Sequence, residues 1–192
     1  MSACGPRHAA AGFVVALAVL AAGAVSPVLA TAQSFNLEGH RGTRGLRPEN
    51  TLAAFGRALT LGVTTLELDT GVTRDGVVVV SHERRISSLE CADTAPTSPG
   101  DAMYPYVGKL VKDLTLRQIR TLDCGTRRPA NPATDPYVGT QEAVPGTHMP
   151  TLAQVFQLAG RYGADGVRFD IETKSIPPSR ATRSARPPSP RR

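Results

Sequence analysis

The sequence predicts an α/β domain built on a parallel sheet. Three observations lead there. Short apolar runs and amphipathic stretches alternate after Gln33, turn residues separate them, and charged side chains gather at the ends of the apolar runs.

In chain order, Phe35 to Glu38 reads as a short strand ending at His40-Arg41-Gly42. Asn50 or Thr51 caps a helix carrying Leu52, Phe55, Ala58 and Leu59 on one face, and Gly62 falls just past its end. Thr64 to Asp69 is a second strand, in which Leu66 and Leu68 alternate with Glu67 and Asp69. Thr73-Arg74-Asp75-Gly76 is a turn. Val77 to Val80 is extended and closed by Ser81-His82. Glu83 to Lys109 is a long loop, Leu114 to Leu122 a short helix and Cys124 to Met149 a second long loop. Thr151 caps a helix from Leu152 to Tyr162, and Gly166 to Glu172 is the next strand. Loops of this length are expected to build a binding face or a small inserted subdomain.

The ends differ from the middle. Residues 1–32 hold Arg7 and no acid, an apolar run from Ala9 to Val25, and the small-residue site Ala30-Thr31-Ala32. This is the pattern of a signal peptide cleaved after Ala32, rather than an uncleaved anchor, and it implies a secreted or periplasmic protein with no membrane span left after cleavage. Residues 175–192 hold five Arg, no acid and little that can be buried, so they read as a disordered Pro/Arg/Ser tail. The formal charge of +6 comes from these ends, because residues 33–174 carry 16 basic and 16 acidic side chains. That balance argues against a nucleic-acid partner. Cys91 and Cys124 remain after cleavage, and in an exported chain a disulfide is favoured over two free thiols.

The chemistry lies at the strand ends. Glu67 and Asp69 are two apart and project from one strand face, and Glu172 is flanked by Asp170 and Lys174 at the same alternation. Carboxylates on one face are costly without a cation or donors. Three of them suit a hard divalent cation, His40 and His82 suit proton transfer near neutral pH, and Arg41 and Lys174 suit a phosphate oxygen. Together these are the parts of a phosphoester-hydrolysing site.

His40-Arg41-Gly42, Pro48-Glu49-Asn50-Thr51, Glu67-Leu68-Asp69, Thr73-x-Asp75-Gly76, Val79-Val80-Ser81-His82 and Ile171-Glu172-Thr173-Lys174 closely resemble the glycerophosphodiester phosphodiesterase family. The resemblance implies a (β/α)8 TIM barrel and hydrolysis of glycerophosphodiesters to an alcohol and glycerol 3-phosphate. It implies His40 and His82 as the catalytic pair, and Glu67, Asp69 and Glu172 as ligands of Ca2+ or Mg2+. It implies Arg41, Glu49, Asn50 and Lys174 around the substrate. Glu83 stands where the family usually has Asp, so a bond that orients His82 is expected to be displaced. Residues 33–174 match the N-terminal part of a barrel that typically needs about 250 residues, so a partial barrel, inactive alone, is expected. Two other readings compete: a non-catalytic exported binding protein on the same fold, and a phosphodiesterase for phospholipid or sphingolipid head groups.

Overall fold

The structure, a computed structural model, describes residues 35–126 and 136–174. The expected signal peptide, Cys4 and the Pro/Arg/Ser tail lie outside the described residues, as does part of the second long loop.

The elements are β1 (Glu38–Gly39), α1 (Leu52–Thr60), β2 (Thr65–Val72), β3 (Val78–Val80), a 3-10 turn (Val111–Asp113), α2 (Leu116–Ile119), α3 (Leu152–Arg161) and β4 (Arg168–Thr173). β2 organises the sheet. It pairs in parallel with β1 at Thr65 and Leu66 and with β4 from Thr65 to Thr70. Its end pairs antiparallel with β3, Thr70 facing Val80. Because Thr65 and Thr70 each have a partner on both sides, β1 and β3 share one edge of β2 and β4 takes the other.

The expected parallel sheet is present in β1, β2 and β4, and β3 joins it antiparallel. The cause is the turn before it: Thr73 N–H donates to Val77 O at 2.9 Å, and Gly76 adopts φ +80°. A turn this short can join only antiparallel strands. Other boundaries shift as well. The first strand begins at Glu38, not Phe35. The helix expected from Leu114 to Leu122 shrinks to α2, because Leu114 is extended (ψ 146°) and Thr115 starts the helix with a capping box to Gln118. Thr51, not Asn50, caps α1, accepting from Ala54 N–H at 3.1 Å. Thr151 caps α3 with Gln154.

Two cores back the sheet. Leu66, Leu68 and Val80 pack with Phe55 and Ala58 of α1 and with Val155 and Leu158 of α3. The second core is built by the long loops: Ile86, Cys91, Tyr106, Val111, Leu114, Ile119, Leu122, Cys124 and Met149 gather around Val79. Val79 and Val80 are neighbours with opposite faces, so β3 is a wall shared by both cores. The long loops thus contribute to a second buried cluster. Their polar centre is Asp101, which accepts from Thr97 Oγ1 (2.8 Å), Tyr106 OH (2.7 Å), Gln118 Nε2 (2.9 Å) and Met103 N–H (2.9 Å). These donors, the Gln118 amide first, hold its carboxyl well below the usual carboxylate range.

A disulfide joins Cys91 to Cys124 across 33 residues, beside the backbone pair Ala92–Asp123. Closing a loop of that length is worth about 3–4 kcal/mol in the chain-entropy account. Reducing the protein, or substituting Cys91→Ser, is expected to lower its stability in urea by about that amount. An unchanged midpoint would show that the second core holds together without the bond.

Candidate active site

The site lies where β1, β2 and β4 end. After Gly39 the chain reverses through Arg41 (φ 51°) and Gly42 (φ +83°), and Gly42 N–H donates to Gly39 O at 3.1 Å. Glycine is required at 42: a Cβ there would come 2.7 Å from the Ala54 carbonyl carbon in α1. This reversal points Arg41 N–H at Glu67 Oε2, 2.7 Å away. Asn50 N–H closes the loop onto Arg41 O at 3.0 Å.

On β2, Leu66 and Leu68 take the core face, so Glu67 and Asp69 share the other. β4 is in register with Asp69 opposite Glu172. Carboxylate oxygens of Glu67, Asp69 and Glu172 lie within 4.8 Å of one another. Asp170, opposite Glu67, is exposed and stands outside this group. Asp69 is only 1% exposed, and its Oδ2 has no hydrogen bond among the described residues. Lys174 Nζ reaches Asp69 Oδ1 at 2.9 Å and Glu172 Oε1 at 2.6 Å. Burial pulls the Lys174 ammonium down, but the bonds to Glu172 and Asp69 outweigh it and its pKa is raised. Burial pushes the Glu67 carboxyl up; the Asp69 charge adds to that, and the Arg41 N–H bond opposes it.

The two histidines flank this cluster differently. His40 Nε2 lies 3.8 Å from Glu67 Oε2 with its ring largely exposed. His82 follows Ser81, whose N–H donates to Asp69 O at 3.0 Å, which sets the His82 turn beside the acidic end of β2. Glu83 Oε1 lies 3.0 Å from His82 Nδ1. The longer Glu side chain therefore reaches the ring, contrary to the expected displacement.

Glu49 is fully occupied by cations. Its Oε1 takes Arg41 Nη1 at 2.6 Å and its Oε2 lies 2.5 Å from Arg44 Nε. Glu49 thus orients Arg41, whose Nε lies 3.5 Å from Asp69 Oδ2. Burial lowers the Arg41 pKa, but Glu49 and then Asp69 and Glu67 raise it further, so it stays charged. The Asn50 side chain is 5% exposed, and neither amide atom has a hydrogen-bond partner among the described residues. The sequence reading missed Arg44 and Glu90. Arg44 sits in no motif, and only its closeness to Pro48-Glu49 hinted at a partner. Glu90 precedes Cys91, and the expected disulfide was the one sign that it would be anchored.

A family model described as "Glycerophosphoryl diester phosphodiesterase family" matches residues 40–185. A glycerophosphodiester phosphodiesterase of Caldanaerobacter subterraneus subsp. tengcongensis is 36% identical over 121 residues, 63% of this chain and 39% of that protein. Among solved structures, a Silicibacter pomeroyi DSS-3 protein named for glycerophosphoryl diester phosphodiesterase superposes with TM-score 0.60 at 31% identity, covering 76% of this chain and 47% of that one. An Oleispira antarctica phosphodiesterase, solved with its product sn-glycerol-3-phosphate, shares the fold with TM-score 0.51 at 22% identity, covering 74% and 45%. The chain thus spans less than half the length of these relatives.

Glu90 offers a test of the electrostatics beside the site. Burial first, then the Glu49 charge, pushes its carboxyl up to about 7, with Arg41 and Arg44 opposing. A carboxyl raised in the folded state costs nothing when protonated in both states. Its cost appears as pH rises above its unfolded value and is complete above the folded one. Glu90→Gln is therefore expected to leave stability unchanged near pH 4 and to raise it by about 1–3 kcal/mol at pH 8. Parallel stability curves across that range would mean that Glu90 is not strained by burial.

Proposed function

Because the chain belongs to the glycerophosphoryl diester phosphodiesterase family, we propose that it hydrolyses glycerophosphodiesters to an alcohol and glycerol 3-phosphate. The observation that carries this reading is the set of carboxylate oxygens of Glu67, Asp69 and Glu172 within 4.8 Å, flanked by His40 and by the turn that holds His82. The donor set is all oxygen, and Asp69 keeps a buried Oδ2 without a hydrogen bond among the described residues, which fits a hard divalent cation such as Ca2+ or Mg2+. Such a cation, held by these three residues, supplies charge to polarise a phosphoryl oxygen.

The chain's own groups divide the remaining work. Arg41, kept charged and aimed by Glu49, offers its guanidinium to a phosphate oxygen. Lys174 balances Asp69 and Glu172 and places a second positive charge at the same edge. One histidine takes the proton from the attacking water as its oxygen bonds to phosphorus, and the other gives a proton to the alkoxide that leaves. β1, β2 and β4 stand as the parallel strands of the N-terminal part of a (β/α)8 barrel, which accounts for the site at their carboxyl ends. Among the described residues no helix is long and apolar enough to cross a membrane. Residues 1–32 are the export signal in this account.

The test is hydrolysis of glycerophosphocholine with Ca2+ or Mg2+ by a version that carries a complete barrel, since residues 33–174 alone are expected to be inactive. Release of glycerol 3-phosphate is expected, lost in excess EDTA, and reduced at least roughly 100-fold in His40→Ala, the scale of a general acid or base. Protein recovered from outside the cytoplasm is expected to begin at Gln33. Full activity of His40→Ala, or activity indifferent to chelator, would contradict the assignment.

A further inference from the structure

We propose that Glu83 is the positioning residue of His82, fixing the ring as the tautomer with its proton on Nδ1 and leaving Nε2 as the working atom. The inference rests on the reading of His82 as a proton-transfer group. Glu83 Oε1 lies 3.0 Å from His82 Nδ1, the one hydrogen bond this ring makes among the described residues. The backbone that carries both side chains is held in place. Ser81, only 3% exposed, donates its N–H to Asp69 O at 3.0 Å and its hydroxyl to Glu83 O at 2.9 Å. The first bond fixes the end of β3 against β2. The second closes the backbone around His82, so that position 83 is set before its side chain turns toward the ring. This also explains how a residue one methylene longer than the Asp expected here still meets Nδ1.

A carboxylate only accepts, so the nitrogen facing it must donate. In a neutral imidazole the other nitrogen then carries the lone pair. Glu83 therefore commits Nε2 of His82 to taking up a proton, or to giving one once the ring is charged. His40 is placed the other way: its Nε2 is the nitrogen that faces a carboxylate, that of Glu67 at 3.8 Å. The two rings thus present different nitrogens to the acids that flank them, and the pair is distinguished before any substrate binds.

Long-range 1H–15N correlation spectra of the 15N-labelled full chain read the tautomer directly, with the His82 signals assigned by their loss in His82→Gln. In the wild type the His82 ring is expected to carry its proton on Nδ1. Glu83→Ala is expected to shift it toward Nε2, and Glu83→Asp to restore the first pattern. A wild-type ring protonated on Nε2, or an identical pattern in Glu83→Ala, overturns the proposal. Glu83 is 56% exposed, so these substitutions spare the core, and the wild-type spectrum decides by itself if a variant fails to fold. In the hydrolysis assay, Glu83→Ala is expected to lower kcat by roughly tenfold, the scale of an orienting partner, with KM unchanged and with recovery in Glu83→Asp. Absence of hydrolysis by the wild type removes the proposed reaction, and the tautomer measurement still decides the positioning.

Discussion

Three carboxylates held within 4.8 Å of one another repel, and much of the surrounding structure offsets that repulsion. At an effective dielectric of about 20, two unit charges at that separation cost about 3–4 kcal/mol, and less where water screens them, as it does for Glu172. The compensation is visible group by group. Lys174 sits between Asp69 and Glu172. Arg41 gives Glu67 a backbone N–H and turns its guanidinium toward Asp69. Yet Asp69 keeps a buried oxygen without a hydrogen bond, and the Glu67 pKa is still raised. The offset is incomplete in the isolated chain, as expected of a site shaped for a further positive charge.

The fold serves that cluster through β2. Leu66 and Leu68 anchor the strand in the core, and strand alternation then forces Glu67 and Asp69 onto the opposite face. Register with β4 brings in Glu172, and the tight turn after Gly39 brings in His40 and Arg41. β3 contributes by running backwards. Its antiparallel pairing returns the chain to the acidic end of β2, where Ser81 bonds to Asp69 and delivers His82. The second core, which includes the disulfide, packs against the same strand through Val79.

Most of the site could be read from the sequence because its chemistry is local. Glu67 and Asp69 declare a shared face by their spacing alone, and Thr151 announces α3 by its cap. The parts that could not be read depend on long-range packing. The direction of β3 follows from a turn whose tightness its composition only suggests. Arg44 and Glu90 acquire their neighbours through tertiary placement, with no motif to mark them. Glu49 illustrates the intermediate case: its motif marks the site, while its actual partners, two arginines, appear only in three dimensions. The second core was invisible because its residues are scattered through two Pro- and Gly-rich segments with no periodicity.

The central claim is that Glu67, Asp69 and Glu172 form a cation site whose charge balance is completed by a divalent ion. Calorimetric titration of the full, metal-free chain with Ca2+ or Mg2+ tests it most directly. The account predicts saturable one-to-one binding to the wild type, a rise in thermal midpoint that grows with ion concentration, and loss of both in Asp69→Asn. Equal binding by Asp69→Asn, or no binding to the wild type, would contradict it.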